Sequence, residues 1–424
     1  MYLTRIELNQ WRCFEKAEVD LDRPFTLVAG VNGSGKTSLL KAIELGMSHF
    51  PGAPRRRAPE VEQQLSASGD RLVSRARACS LGFHLKSGAS ETIRPGRESL
   101  QLIHAWSNLR QATDLLGFLL LSLDDGRSEG PDELSYDEPR VAQDVAYEDW
   151  DRPGVPWWAV ERWLGQQTQV GYERFYKAVS ENRGTPRLED LVPELTAAST
   201  AIADVIDEAV RVEYNVQFKK LLIHLSGGRI LEPSQLSAGY RTLLALISDL
   251  ARRCVLLNPA AGARAPYETP GLVLIDELEL HLHPKWQRQV VKGLQRAFPK
   301  IQFVCTTHSP QILSEAPADS VVLLGPNDTV LYPKYTHGRD ANAILEEILG
   351  TPARPVEIDA LFGAFRGAID ERRWAEADQL LGRLESALGS DTAEVISAHW
   401  SLEVQRSPES EASAEDAQPA RSES

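Results

Sequence analysis

The stretch GVNGSGKT, Gly30 to Thr37, limits what this chain can fold into more than any other segment. It fits the pattern G-x-x-x-x-G-K-[ST]. It lies between the strand-like FTLVAG and TSLLKAIELGMSHF, whose apolar residues have helical spacing. Strand, glycine-rich turn and helix in that order make a cradle for phosphate. The glycines let the backbone wrap closely, successive N–H groups point inward, and the helix N-terminus adds partial positive charge. Gly30, Val31, Asn32, Gly33, Ser34, Gly35 and Ser38 are expected to line a bound nucleotide. Lys36 is expected to reach its β- and γ-phosphates, and Thr37 to ligate Mg2+. The fold class this predicts is α/β.

Such a cradle needs a second anchor for Mg2+ and a group that activates water. LVLIDE, Leu272 to Glu277, offers both at the end of an apolar strand: Asp276 for the metal shell and Glu277 to polarise the attacking water. At the end of the next strand, FVCTTHSP brings His308 to where it can touch a γ-phosphate. LSAGYR opens an amphipathic helix with Ser237 and Gly239, an anion-binding combination of hydroxyl and backbone N–H. His281 and His283 follow Glu277 closely and raise the question of a metal site. Zinc needs about four converging ligands, and no cysteine lies close in sequence. Both histidines are therefore expected to begin a turn before PKWQRQVVKGL.

Composition bounds the rest. With 424 residues the chain has room for two or three domains, and a hydrophobic fraction of 42% suits a globular protein. The formal charge of −14 repels nucleic acid as a whole. Any DNA contact falls to the arginine-rich stretch 55–97, which reads equally as a solvated surface. Cys13, Cys79, Cys254 and Cys305 form no C-x-x-C pair, which fits a reducing cytosol. The N-terminus lacks an apolar signal core, and the near-apolar run 115–123 is too short to span a bilayer. A cytoplasmic protein without a membrane segment is expected.

Along the chain, LTRIELNQWRCF and AEVDLDRPFTLVAG read as two strands. Residues 124–151 hold eleven acids against two arginines and read as a surface loop. Residues 156–206 turn helical, with Trp157, Trp158, Trp163, Tyr172, Phe175 and Tyr176 expected in a helical core. LLIHLSGGRI reads as a hairpin and NPAAGARAPYETPG as a loop. Strands are expected at 272–275, 301–306 and 321–324. Short packed helices follow over 341–403, then a low-complexity acidic tail. Leu361, Phe362, Phe365 and Trp374 are candidates either for partner contact or for packing against one another.

In the order GVNGSGKT, LSAGYR, LVLIDE, TTHS, the chain resembles the ATP-binding-cassette (ABC) ATPases of SMC and RecF type. In that family the LSAGYR-like signature binds the γ-phosphate held by a facing subunit. The resemblance thus implies that Ser237 and Gly239 act in trans across a head-to-tail homodimer. It implies an ABC-type ATPase head with a mixed β-sheet, an inserted helical lobe and a C-terminal helical extension. The segments would be 1–50 and 210–340 for the ATPase core, 51–209 for the insertion, 341–403 for the C-terminal helices and 404–424 for a disordered tail. NQWRCF resembles the family's N-F-R-x-F start, which carries Arg12 to the nucleotide and Phe14 to the core. His283 falls where the family's D-loop usually has an aspartate, which puts that loop's contacts in doubt.

Together with DELELHLHPKWQ, CTTHSPQIL and GRDANAILEEILG, these motifs look like compact bacterial ATPases that include the Septu anti-phage ATPases (PtuA). That likeness implies ATP and Mg2+ as cofactors, ATP hydrolysis, a separate HNH-type nuclease partner, and DNA or a phage-derived ligand as the trigger. Three alternatives stay open. They are a RecF-like DNA-repair ATPase, the motor subunit of a transporter, and an overcoming-lysogenization-defect protein with its own Toprim nuclease. The last would need a D-x-D acid pair beyond His308, and none is present.

Overall fold

The computed structural model describes residues 2–47, 80–85, 90–93, 119–123, 157–181 and 191–406. The acidic stretch 124–151, most of the arginine-rich stretch 55–97 and the tail beyond 406 lie outside the described residues. The chain divides into two compact units, Met1–Leu349 and Gly350–Ser424.

The N-terminal 30 residues form three strands where two were expected: β1 (Leu3–Trp11), β2 (Phe14–Asp20) and β3 (Phe25–Gly30). β1 and β2 pair antiparallel, with Trp11 opposite Phe14. The chain then breaks at 21–24, where Pro24 has no N–H to give a ladder, and β3 enters a different sheet. Gln302 satisfies the backbone at this break. Its Nε2 donates to the carbonyls of Leu3 and Leu21, both at 2.8 Å, and its Oε1 accepts from Leu3 N–H at 2.8 Å. The amide is fully buried, so each of these bonds replaces one that water cannot supply.

Next come β4 (Ser80–Leu85), β5 (Ser90–Ile93) and β6 (Leu119–Leu123). β7 (Ala209–Asn215), β8 (Lys220–Leu225) and β9 (Ile230–Leu231) form a three-stranded antiparallel sheet that includes the expected hairpin. β10 (Gly271–Ile275), β11 (Ile301–Thr306), β12 (Val321–Leu324) and β13 (Val330–Leu331) complete the set. One sheet has the order β2-β1-β4-β5; the central one runs β13-β12-β3-β11-β10-β6. The central sheet is mixed, because β13 is antiparallel to an otherwise parallel array. Three strands from within 51–209 thus belong to the sheets of the core.

The parallel strands β3, β10 and β11 are buried along their whole length, which explains their unbroken apolar sequences. Phe25 and Phe303 stack between two of them at 5.3 Å. Register then places the site: Val28 pairs with Thr306 and Ile275 with Cys305. The carboxyl ends of all three strands therefore open at one edge, where open α/β sheets bind ligands.

The helices Trp157–Ser180 and Pro193–Val205 pack with Ala238–Leu257. The aromatics of the first are not all core. Trp163 packs against the core, whereas Tyr172 and Tyr176 are 38% and 71% exposed. Residues 259–268, expected as a loop, form a 3-10 turn at Pro259–Arg264 and a short helix at Ala265–Glu268. Thr269 Oγ1 closes that helix on Ala265 O at 2.7 Å and accepts Asn258 Nδ2 at 2.9 Å. Among the described residues, no helix is long and apolar enough to cross a membrane.

The helix Ala341–Glu347 buries Ile344 in the core of the first unit, so the second unit starts at Gly350 rather than at 341. Among the described residues that unit holds three helices, Val356–Asp370, Trp374–Leu388 and Ala393–Arg406. Phe362, Phe365, Leu381 and Leu384 form its core, with Leu361 and Trp374 packed against them. Those four partner candidates are thus used in packing. The last helix runs to Arg406, which pairs with Asp378 at 3.2 Å, two residues past the expected start of the tail.

Candidate active site

The loop that leaves β3 turns through positive φ at Gly30, Gly33 and Gly35. Gly35 also lies hard against the β1–β2 turn. A Cβ there would sit 2.4 Å from the Phe14 ring and 2.8 Å from Cys13 Sγ. Val31, Asn32 and Gly33 are exposed, so the outer wall of the loop is open. Lys36 starts the helix Lys36–Met47 and is only 7% exposed. Its Nζ donates to the carbonyls of Gly30 and Val31, both at 3.0 Å. Burial pulls its pKa below the ordinary lysine value, and Asp276, Glu279 and Glu277 oppose that pull.

The acids meet the loop across the strand ends. Asp276 Oδ2 accepts the Thr37 hydroxyl at 2.9 Å, which joins residues 239 apart in sequence. Asp276 Oδ1 accepts the hydroxyl of Thr306, and the same Thr306 oxygen accepts the backbone N–H of Glu277 at 2.7 Å. Glu277 has a φ of +48°, left-handed for a residue with a side chain. That conformation costs about 1–3 kcal/mol and persists only where neighbours hold it. Thr306 is one such holder, and it turns Glu277 out of the strand's line. A hydroxyl and a carboxylate this close suit Mg2+, which takes one or two protein oxygens and keeps the rest for phosphate and water.

His308 lies two residues beyond Thr306, past the end of β11. Its backbone N–H donates to Glu279 Oε1 at 2.5 Å. Burial first, then Lys36, lowers the pKa of its imidazole, so the neutral ring is favoured. Lys36, Thr37, Asp276, Glu277 and His308 thus gather at one edge of the sheet. Thr306 and Glu279 join them, although the sequence reading passed over both. Their signals were a polar residue closing an apolar strand and an acid two places after Glu277.

Arg12 sits on the β1–β2 turn with a φ of +48°. Its guanidinium lies 5.4 Å from the centre of the Trp11 ring, and Trp11 Nε1 donates to Ser38 O at 2.7 Å. This places Arg12 beside the first turn of the loop's helix. Burial lowers its pKa, opposed by Glu44 and Cys13. His283 caps the short helix Pro284–Gln287 by accepting Lys285 N–H on Nδ1 at 3.3 Å, and His281 is exposed. Leu282 between them is buried.

Ser237 caps the helix Ala238–Leu257 by accepting Tyr240 N–H at 3.3 Å, and Ser237 and Ala238 are exposed. Gly239 is buried. A Cβ on it would fall 1.8 Å from the carbonyl oxygen of His281. Tyr240 packs edge-on against Trp286 at 4.9 Å. The amino end of this helix and the turn after Glu277 therefore form one packed joint. Gly239→Ala should cost about 1–3 kcal/mol, the scale of overpacking against backbone. A chemical-denaturation curve superimposable on wild type would show that the joint is not tight.

Residues 25–314 match the family described as "AAA domain, putative AbiEii toxin, Type IV TA system". Over 173 residues the chain is 35% identical to the "Retron Ec83 probable ATPase" of Escherichia coli, covering 40% of this chain and 32% of the relative. Over 161 residues it is 30% identical to the "Septu protein PtuA" of Bacillus thuringiensis, covering 36% and 40%. Over 122 residues it is 31% identical to the "DNA replication and repair protein RecF" of Acidothermus cellulolyticus, covering 28% and 30%. The chain spans less than half the length of each of these relatives.

Proposed function

Because the chain belongs to the AAA domain family matched by residues 25–314, we propose that it binds Mg2+–ATP on the loop Gly30–Ser38 and hydrolyses it at Glu277. The observation that carries this reading is the chain of hydrogen bonds Thr37–Asp276–Thr306–Glu277. It ties the loop to both acids, and such preorganisation is the main source of catalysis in phosphoryl transfer. Thr37 and Asp276 would hold Mg2+, which would neutralise charge on the phosphates. Lys36 Nζ, with two N–H groups on loop carbonyls, has its third for a phosphate oxygen. Glu277 takes the proton of the attacking water, and neutral His308 offers a hydrogen bond to the γ-phosphate. Arg12 adds positive charge beside the loop's helix.

Ser237 and Ala238 stand exposed at the start of a 20-residue helix. A hydroxyl and free N-terminal amides there suit the phosphate of a second copy, so the working form is a head-to-tail dimer with Ser237 and Gly239 acting in trans.

The relatives named for Septu and retron ATPases favour a role in anti-phage defence. In this role the chain works in the cytoplasm, and ATP gates a separate nuclease of HNH type that responds to DNA or a phage-derived ligand. The second unit is the docking element. Its last helix leaves Ile396 and Trp400, one turn apart, 46% and 65% exposed. Removing residues 350–424 should leave ATP binding intact and abolish co-purification with the proposed HNH-type nuclease. A truncated form that still co-purifies would rule out this docking site. The RecF likeness favours a second reading, a DNA-repair ATPase. Hydrolysis stimulated by DNA with no nuclease partner would decide for it.

A further inference from the structure

We propose that Glu279 is a positioning residue for hydrolysis. It clasps His308 with one carboxylate oxygen and keeps the other as an acceptor for a proton donor that arrives with the nucleotide. This rests on the ATPase reading above. Oε1 accepts the His308 backbone N–H at 2.5 Å. Oε2 is buried and has no hydrogen-bond partner among the described residues. The turn that carries Glu279 is fixed. Leu278 N–H donates to Thr306 O at 2.9 Å, Leu280 N–H to Glu277 O at 2.9 Å, and Leu282 N–H to Glu279 O at 2.8 Å. The side chain therefore has little freedom to seek a donor elsewhere.

A buried carboxylate oxygen without a donor is costly, and a position selected for stability alone has no reason to keep it. The residue lies close enough for its charge to act on both Lys36 and His308. Its free oxygen is thus set among the groups that face the γ-phosphate. The donor that fits is water held at the reacting phosphate, in the shell shared with Glu277. Glu279 then fixes two things that an attacking water needs, the place of the histidine and a second acceptor.

The test compares wild type, E279Q and E279A in the full chain, by steady-state ATP turnover with Mg2+ and by thermal melting without ligand. Glutamine keeps a carbonyl for His308 N–H but puts an NH2 where the second acceptor was. E279A should lose about 10²-fold in kcat, the scale of a misplaced catalytic group, with KM little changed. E279Q should recover part of that loss and no more. E279Q should also melt at or above the wild-type temperature, because the clasp on His308 N–H is kept and the buried oxygen without a donor has gone. A purely structural glutamate would lower activity and melting temperature together. E279Q turning over like wild type, melting below it, or raising KM at unchanged kcat would each overturn the inference alone. A wild type without turnover overturns the ATPase reading and this inference with it.

Discussion

Glu277→Gln leaves ATP bound and its hydrolysis about 10²–10⁴-fold slower, the contribution of a positioned general base. The amide fills the same space, but it cannot take a proton. The backbone should not change, because Glu277 is held in its left-handed turn by its own N–H on Thr306 and not by its carboxylate alone. The measurement is single-turnover hydrolysis beside calorimetric ATP affinity, and only the first should move. If the nucleotide is shared across two copies, this variant also accumulates as an ATP-bound dimer, visible by light scattering with Mg2+–ATP and absent with ADP. Wild-type hydrolysis in the variant would remove Glu277 from the mechanism. An ATP-bound monomer would remove Ser237 and Gly239 from the site while leaving Glu277 in place.

Lys36→Ala acts earlier, on binding. The ammonium now bonds two loop carbonyls at 3.0 Å and is nearly enclosed. With phosphate in place it makes charge-assisted bonds worth about 1.5–3 kcal/mol each. Since about 1.4 kcal/mol is tenfold in affinity, ATP binding should weaken by at least one to two orders of magnitude. The loop itself should survive, since its positive-φ glycines set its path. Melting without ligand should therefore change little, and the stabilisation that ATP gives wild type should vanish. Equal calorimetric affinity in the two proteins would refute the assignment of the loop.

The part of this site legible in the sequence is the part written in local pattern. An apolar run ending in glycines, another ending in two acids and a third ending near a histidine each announce a buried strand with chemistry at its tip. Parallel register then brings the tips together, as Val28 opposite Thr306 and Ile275 opposite Cys305 show. Long-range pairing was not legible. β6 lies about 150 residues before β10 and still pairs with it, Leu121 opposite Val273; a short apolar strand carries no mark of its partner. Thr306 and Glu279 matter through what they touch, and neither contact has a sequence period. The close approach of Gly239 to the His281 carbonyl is of the same kind. The aromatic stretch from Trp157 misled because Tyr172 and Tyr176, one turn apart, lie on the solvent face of the helix. The unit boundary at 349 was hidden because Ile344 sits in a helix that reads like those after it, yet it packs into the first core.

The proposed mechanism requires Mg2+-dependent ATP hydrolysis by this chain's own residues. Its most direct test is phosphate release by the purified protein from ATP, with Mg2+ and with excess chelator, for wild type and Asp276→Asn. Asp276 accepts from both Thr37 and Thr306, so it joins the loop to the acids. Wild type should release phosphate steadily with Mg2+ and not at all with chelator, and Asp276→Asn should release little or none under either condition. Release that persists in chelator, or an Asp276→Asn variant as active as wild type, would contradict it.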